Sequence, residues 1–286
     1  METTTLDQKP QFTAAAAPRA IALRTSGRRH GPITRLVSPS DLGERIKPFV
    51  FLDRGEVAYT GKPLFGIHPH SGIATLTIVL GGGMRYEDTT GKSGSVAAGG
   101  LEWMKAGGGV WHDGGALPGD PLRIFQLWIA LDASEENAPS ESHYIAPEQV
   151  QQDGPVRVVL GQYGRARGVI PGSPGINYFH VRLKDGERWH YTPPASHDVA
   201  WLAVDQGALR APAAIQAGEL AVFEESQAAI ALEAVGETSF VFGSAVRHPH
   251  PLVLGYYSVH TSAQALERGE AGIAGIGEQL RKQGRI

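Results

Sequence analysis

Two histidines stand two apart in FGIHPHSGIATLTIVLGGG, residues 65–83, and a third, His112, follows in KAGGGVWHDGG. On an extended strand, residues i and i+2 share a face about 6.5–7 Å apart, so His68 and His70 can look to the same side of a sheet. Pro69 between them has no amide hydrogen to give a neighbouring strand, which suits the start or the edge of a strand. Neutral imidazole is the commonest protein ligand for zinc, iron, nickel and copper, so this pair is half a metal site. A solvated pair at a strand end would show the same spacing. The other half must come from elsewhere, and His112, reached through a glycine turn, is the candidate.

The elements that would carry these side chains are short strands. The 37 glycines and 19 prolines of the 286 residues punctuate runs rich in β-branched and aromatic residues, among them PFVFLDRGEVAY, ATLTIVLGG, LEWMKA and RIFQLWIAL. An all-β sandwich or barrel follows. The polar, acidic segment DASEENAPSESHYIAPEQV separates two such series, and AAGGLEWM in the first is echoed by QAGELAVF in the second, as in a duplicated barrel. The expected division is a flexible tail over residues 1–18, a first unit over 19–135, a linker over 136–150 and a second unit over 151–286. The last of these ends in AQALERGEAGIAGIGEQLRKQG, a helix expected to start at a capping box of Thr261 and Gln264 and to break near Gly272.

Composition removes several function classes. There is no cysteine, hence no disulfide, thiolate nucleophile or cysteine-bound metal, and any ion must sit on histidine, carboxylate or water. Net charge is −3 with lysine and arginine scattered, which gives no footprint for direct contact with nucleic acid or an anionic membrane. No run approaches the roughly 18 apolar residues of a membrane span, and the N-terminus lacks a basic start followed by an apolar core, so the cytoplasm is the expected location.

The block HPHSGIATLTIVLGGGMRYEDTTGKSGSVAAGGLEWMKAGGGVWHDGG resembles the N-terminal metal-binding cupin of the pirin family, and RRHGPITRLVSPSDLGERIKPFVFLD and FQLWIAL look like family segments too. The likeness runs from about residue 20 to the C-terminus. It implies two tandem cupin barrels, that is double-stranded β-helix or jelly-roll folds, with a C-terminal helix and a metal-free second barrel. It also implies a divalent transition metal on His68, His70 and His112, with Fe(II) foremost and nickel, zinc, manganese or copper as alternatives. The activity implied is that of a quercetin 2,3-dioxygenase acting on a small aromatic substrate. The alternative is a non-catalytic regulatory bicupin that binds a protein partner, its metal site eroded.

Two positions depart from the family pattern. Gly114 stands where the family has a glutamate two residues after the third histidine, and Ala74 where it has one four residues after the second. An ion held by three neutral imidazoles keeps its full charge and an additional open position, so retention should be weaker. Three-histidine sites nonetheless bind metals and catalyse; otherwise the histidines only hydrogen-bond inside the barrel. Asp113 adjoins His112 but should face the other side of its strand. Glu102, where many family members have glutamine, is a further carboxylate near the site, and Gln126 a polar group at the pocket. Trp103, Met104 and Trp111 are expected to be core or pocket lining. His248 and His250 are expected to be solvated, and His190 and His197 lack a third partner.

Overall fold

Glycine and proline interrupt the apolar runs every few residues, and in the computed structural model, which describes residues 18–61, 66–170, 174–211 and 213–286, the pieces between them are strands. The expected tail over residues 1–18 lies outside the described residues except for Pro18. The first half of the chain forms β1 (Ile21–Thr25), β2 (Arg28–His30), β3 (Ile33–Val37), α1 (Leu42–Ile46), β4 (Phe49–Val57), β5 (His68–His70) and β6 (Ile73–Gly81). It continues with β7 (Gly83–Asp88), β8 (Ser93–Ala97), β9 (Leu101–Lys105), β10 (Val110–Ala116), β11 (Leu122–Ala130) and β12 (Glu141–Ile145). The second half forms β13 (Gln152–Asp153), β14 (Val156–Leu160), β15 (Gln162–Tyr163), β16 (Ala166–Arg167), β17 (Ile176–Leu183) and β18 (Arg188–Tyr191). Then come β19 (Val199–Arg210), β20 (Ala214–Gln216), β21 (Leu220–Phe223), β22 (Ile230–Ala245), β23 (Val253–Gly255), β24 (Ser258–His260) and α2 (Ala263–Lys282).

Two β-barrels in tandem result. The main sheet of the first runs β12-β9-β6-β11-β4-β3-β2, and that of the second β1-β21-β19-β22-β17-β14-β13. A four-stranded sheet, β5-β10-β7-β8, closes the first barrel. Strand alternation sorts the buried side chains into layers. One face of each main sheet packs against the other: Leu76, Ile78, Trp103, Phe125 and Leu127 meet Tyr178, Trp201 and Val241 in one core between the barrels. The second barrel is filled with rings, Phe179, Trp189, Tyr191, Phe240 and Phe242 among them. Apolar filling in the first barrel falls into smaller groups, one around Ile33, Val57, Val79 and Met84 and others around Phe51 with Trp128 and around Met104, leaving room for polar side chains.

Five sequence expectations need correction. Residues 136–150 are more than a linker, because β12 pairs along β9 and extends the first sheet, while β1, assigned to the first unit, pairs with β21 of the second. Each edge is thereby covered by chain from outside its own barrel. The C-terminal segment, assigned to the second unit, packs on the first, with Trp111 Nε1 of β10 donating to the Ile273 carbonyl of α2 at 2.8 Å. Finally, α2 runs unbroken through Gly272, and its cap is Ser262, whose hydroxyl accepts from the Ala265 amide at 3.2 Å. Its glycines allow close packing: a Cβ on Gly272 would collide with the Gly108 carbonyl oxygen. Among the described residues no helix is long and apolar enough to cross a membrane.

Candidate metal centre

Antiparallel pairing of β5 with β10 sets His68 directly opposite His112, with His70 two residues along opposite Val110. Two residues from one strand and one from its neighbour therefore share a face. Their ring centroids lie 5.0, 4.5 and 5.1 Å apart for the pairs 68–70, 68–112 and 70–112. One nitrogen of each ring falls within 4.8 Å of the other two, so the trio can hold a divalent ion. His70 and His112 are buried, and His68 is half-buried at the cavity wall.

Two of the outward nitrogens are fixed by carbonyl oxygens. His68 Nδ1 lies 2.9 Å from the Gly66 carbonyl and His70 Nδ1 3.1 Å from the Tyr257 carbonyl. A carbonyl can only accept, so both rings are protonated at Nδ1 and carry their lone pair on Nε2. His112 Nδ1 lies 3.4 Å from Glu102 Oε1, and the other oxygen of that carboxylate accepts the Thr77 hydroxyl at 2.7 Å. His112 Nε2 then faces His68 Nε2 at 3.1 Å. Two lone pairs at that distance repel unless a cation or proton sits between them, and burial, followed by the neighbouring His112, lowers His68 to about 4. The same two causes, with His68 added, hold His70 well below its ordinary value. The geometry of the three converging nitrogens suits a shared divalent cation. Burial would raise the Glu102 carboxyl, but the adjoining His112, when it carries a proton, and the Thr77 hydroxyl outweigh it and keep it below its usual value.

The trio opens, through the wall at His68, into a cavity of about 440 Å³ bounded by Arg35, Phe51, Asp53, Gln126, Trp128 and Tyr257, among others. A smaller space of about 60 Å³ lies on its inner side, touching Asp53, Glu102, His112, Gly114 and Gln126. Sheet register explains the polar lining. Arg35 pairs with Asp53, Asp53 with Gln126, Gln126 with Thr77, and Thr77 with Glu102, a single row across β3, β4, β11, β6 and β9. Arg35 donates to Asp53 from Nε at 2.6 Å and from Nη2 at 3.0 Å, and its guanidinium stands 4.1 Å over the Phe51 ring. Burial raises the Asp53 carboxyl above its ordinary value in spite of Arg35.

Asp113 turns away, as strand alternation requires, and accepts from Arg85 at 2.6 Å. Trp103 belongs to the core between the barrels, Met104 to the opposite face of β9, and Trp111 packs on α2. Ala74 also faces the core between the barrels, so its lack of a carboxylate does not touch the centre. Gly114 lines it, and a Cβ there would meet only the Arg85 carbonyl at 3.5 Å. His248, expected in solvent, is buried, its Nε2 3.2 Å from the Leu131 carbonyl. Asp53 and the Tyr257 carbonyl escaped the sequence reading. Asp53 could have been found as an acid sharing the strand face of Phe51 in PFVFLDRGEV; nothing near residue 70 announces residue 257.

The chain is similar to known proteins in sequence and in fold. The family described as Pirin matches residues 32–129. A Pseudomonas aeruginosa protein named "Putative quercetin 2,3-dioxygenase PA3240" is 31% identical over 238 residues, covering 76% of this chain and 82% of the relative. The crystal structure of a quercetin 2,3-dioxygenase from Acinetobacter baumannii superposes with a TM-score of 0.80 at 22% identity, over 89% of this chain and 96% of that one. The bacterial pirin YhhW of Escherichia coli, solved in complex with nickel(II), gives 0.61 at 20% identity, over 80% and 96%. These structures establish the tandem cupin fold.

Proposed function

This chain belongs to the pirin family, and from that premise we propose that it is a metal-dependent dioxygenase of the quercetin 2,3-dioxygenase type. Fe(II) or another first-row divalent ion would sit on His68, His70 and His112, and the substrate is a small hydroxylated aromatic molecule. The observation that carries this reading is the convergence of three imidazole nitrogens within 4.8 Å of one another beside a cavity of about 440 Å³. The ion, when bound, supplies Lewis acidity and a template for the reactants.

The chain's own residues do the rest. Phe51 and Trp128, stacked with centroids 4.0 Å apart, give an apolar edge to the cavity, which Tyr256 and Tyr257 also line, so that an aromatic molecule can be received there. Each Asp53 oxygen keeps a lone pair beyond its bond from Arg35, so Asp53 can accept the hydroxyl proton of a substrate at Oδ2 while Arg35 holds the carboxylate in place. The Gln126 amide, on the paired position of β11, orients a second oxygen. A second reading, a non-catalytic bicupin that binds a protein partner, is favoured by one observation, the absence of a carboxylate at Gly114.

The test is turnover of quercetin under oxygen by protein reconstituted with Fe(II), beside its metal-free form and Asp53→Asn. Loss of flavonol absorbance with the loaded wild type, slowed in Asp53→Asn and absent without metal, supports the dioxygenase. A fully loaded protein that leaves quercetin unchanged removes it and turns attention to partners.

A further inference from the structure

Next to the metal-site strand lies a second polar cluster, shut away from solvent. Ser71, His260 and Glu136 are each 2% exposed or less. Glu136 Oε2 accepts from His260 Nδ1 at 3.1 Å and from the Thr261 amide at 2.7 Å, and Oε1 accepts the Thr261 hydroxyl at 2.7 Å. On its other side His260 Nε2 lies 3.0 Å from Ser71 Oγ, which is 2.8 Å from Ser258 Oγ. A serine, a histidine and a carboxylate in this order look like a nucleophile with its base, but no substrate can reach them. Two glycines bring the elements together around them: a Cβ on Gly269 of α2 would strike His260 and Ser71, and one on Gly72 would strike the Val259 carbonyl.

What the cluster holds is the hairpin of β23 and β24. Gly255 pairs with Ser258, so Tyr256 and Tyr257 form its two-residue turn, and Tyr257 sits at φ +52°, a left-handed conformation costly for a residue with a side chain. Such strain persists only where the surroundings over-determine it. They do so here from three sides: the Ser71 bridge to Ser258, the Glu136 bonds to residues 260 and 261, and the Tyr256 amide, which donates to Glu270 of α2 at 3.1 Å. The outcome is a Tyr257 carbonyl aimed at His70 Nδ1.

We propose that Ser71, His260 and Glu136 are positioning residues of the metal centre: they lock the C-terminal hairpin so that the Tyr257 carbonyl fixes His70 as its Nδ1–H tautomer and leaves Nε2 for the ion. This rests on the reading of the three histidines as a metal site. The first barrel's centre is then completed by chain about 190 residues away, since Ser71 and His260 are separated by 189 positions. Groups that hold a metal-binding histidine by its second nitrogen typically change affinity about 10- to 100-fold when removed. By linkage, metal binding should in turn slow hydrogen exchange in residues 253–282.

The experiment compares the wild type with Glu136→Gln and the milder Ser71→Ala by two readouts: side-chain ¹⁵N shifts of His70 in metal-free protein, and Ni(II) affinity by competition with a chelator. Expected are an Nδ1–H signal for His70 in the wild type, its loss or averaging in the variants, and Ni(II) binding weakened about tenfold or more. Variants that keep both the wild-type tautomer and the wild-type affinity overturn the proposal. Should the wild type take up no Ni(II), the metal-site reading falls, and the tautomer of His70 in the metal-free proteins still decides whether the lock positions it.

Discussion

Glu102 stands behind His112, its Oε1 3.4 Å from the imidazole Nδ1 and both groups buried. This carboxylate returns, one side chain further from the centre, the negative charge that Gly114 withholds from it. A charged acceptor behind an imidazole fixes the tautomer and raises the basicity of the ligating nitrogen. Compensation of this kind suits the trio to a cation without a carboxylate ligand.

Replacing Glu102 by Gln should therefore weaken retention of a divalent ion by on the order of tenfold. The uncharged amide keeps the size of the side chain and loses the charge. Chelator competition on otherwise identical protein measures the change, and equal affinities would show that Glu102 serves only the fold.

Gly114→Glu should act in the opposite direction. A Cβ at this position makes an ordinary contact, 3.5 Å to the Arg85 carbonyl, and the residue borders the space shared with His68 and His112. A carboxylate there adds a hard oxygen donor and charge, so affinity should rise by about tenfold. In the double variant with Glu102→Gln, the gain should offset the loss; a double-mutant cycle reads the coupling.

The glycines of α2 provide a test of the packing. Gly275→Ala enters open space and should stabilise the protein by about 0.5–1 kcal/mol, as expected from helix propensity. Gly272→Ala gains the same propensity but drives its methyl into the Gly108 carbonyl, so its melting temperature should fall. Thermal unfolding of the pair checks whether the helix sits this close.

Acid should destabilise the fold partly through His180, which is buried at the edge of the core between the barrels with Nε2 2.9 Å from Ser239 Oγ. Burial first, then the charges of Arg182, Arg157 and Arg123, lowers it to about 3 from 6.5. Between those values the unfolded chain binds the proton and the folded chain does not, so stability falls as pH drops through this window, by up to about 1.4 kcal/mol per pH unit. Above about 6.5 the group contributes no slope. His180→Gln should flatten the acid limb by one proton, as read from denaturant midpoints along a pH series.

Much of this was legible locally. His68, His70 and His112 could be paired on paper because strand period and a glycine turn are short-range properties, and Gly99 and Gly218 do occupy left-handed turns before β9 and β21, as the echoed segments suggested. What resisted reading depends on distance along the chain. The pairing of β1 with β21 of the second barrel, the burial of His248 against Leu131 and the grip of Tyr257 on His70 join residues more than 100 positions apart. The glycines of α2 read as breaks because propensity is a local quantity, whereas their use is close approach to a loop near residue 108. Asp113 could be excluded from the centre by alternation alone; Glu102 could not be placed until the register of β6 with β9 was known.

The central claim is that the three histidines hold one metal ion, and metal content addresses it directly. Elemental analysis of tag-free protein after reloading, wild type beside His70→Ala and His112→Ala, should find close to one divalent ion per chain in the wild type and almost none in either variant. A wild type that stays empty after reloading, or variants that keep the ion, would contradict the account.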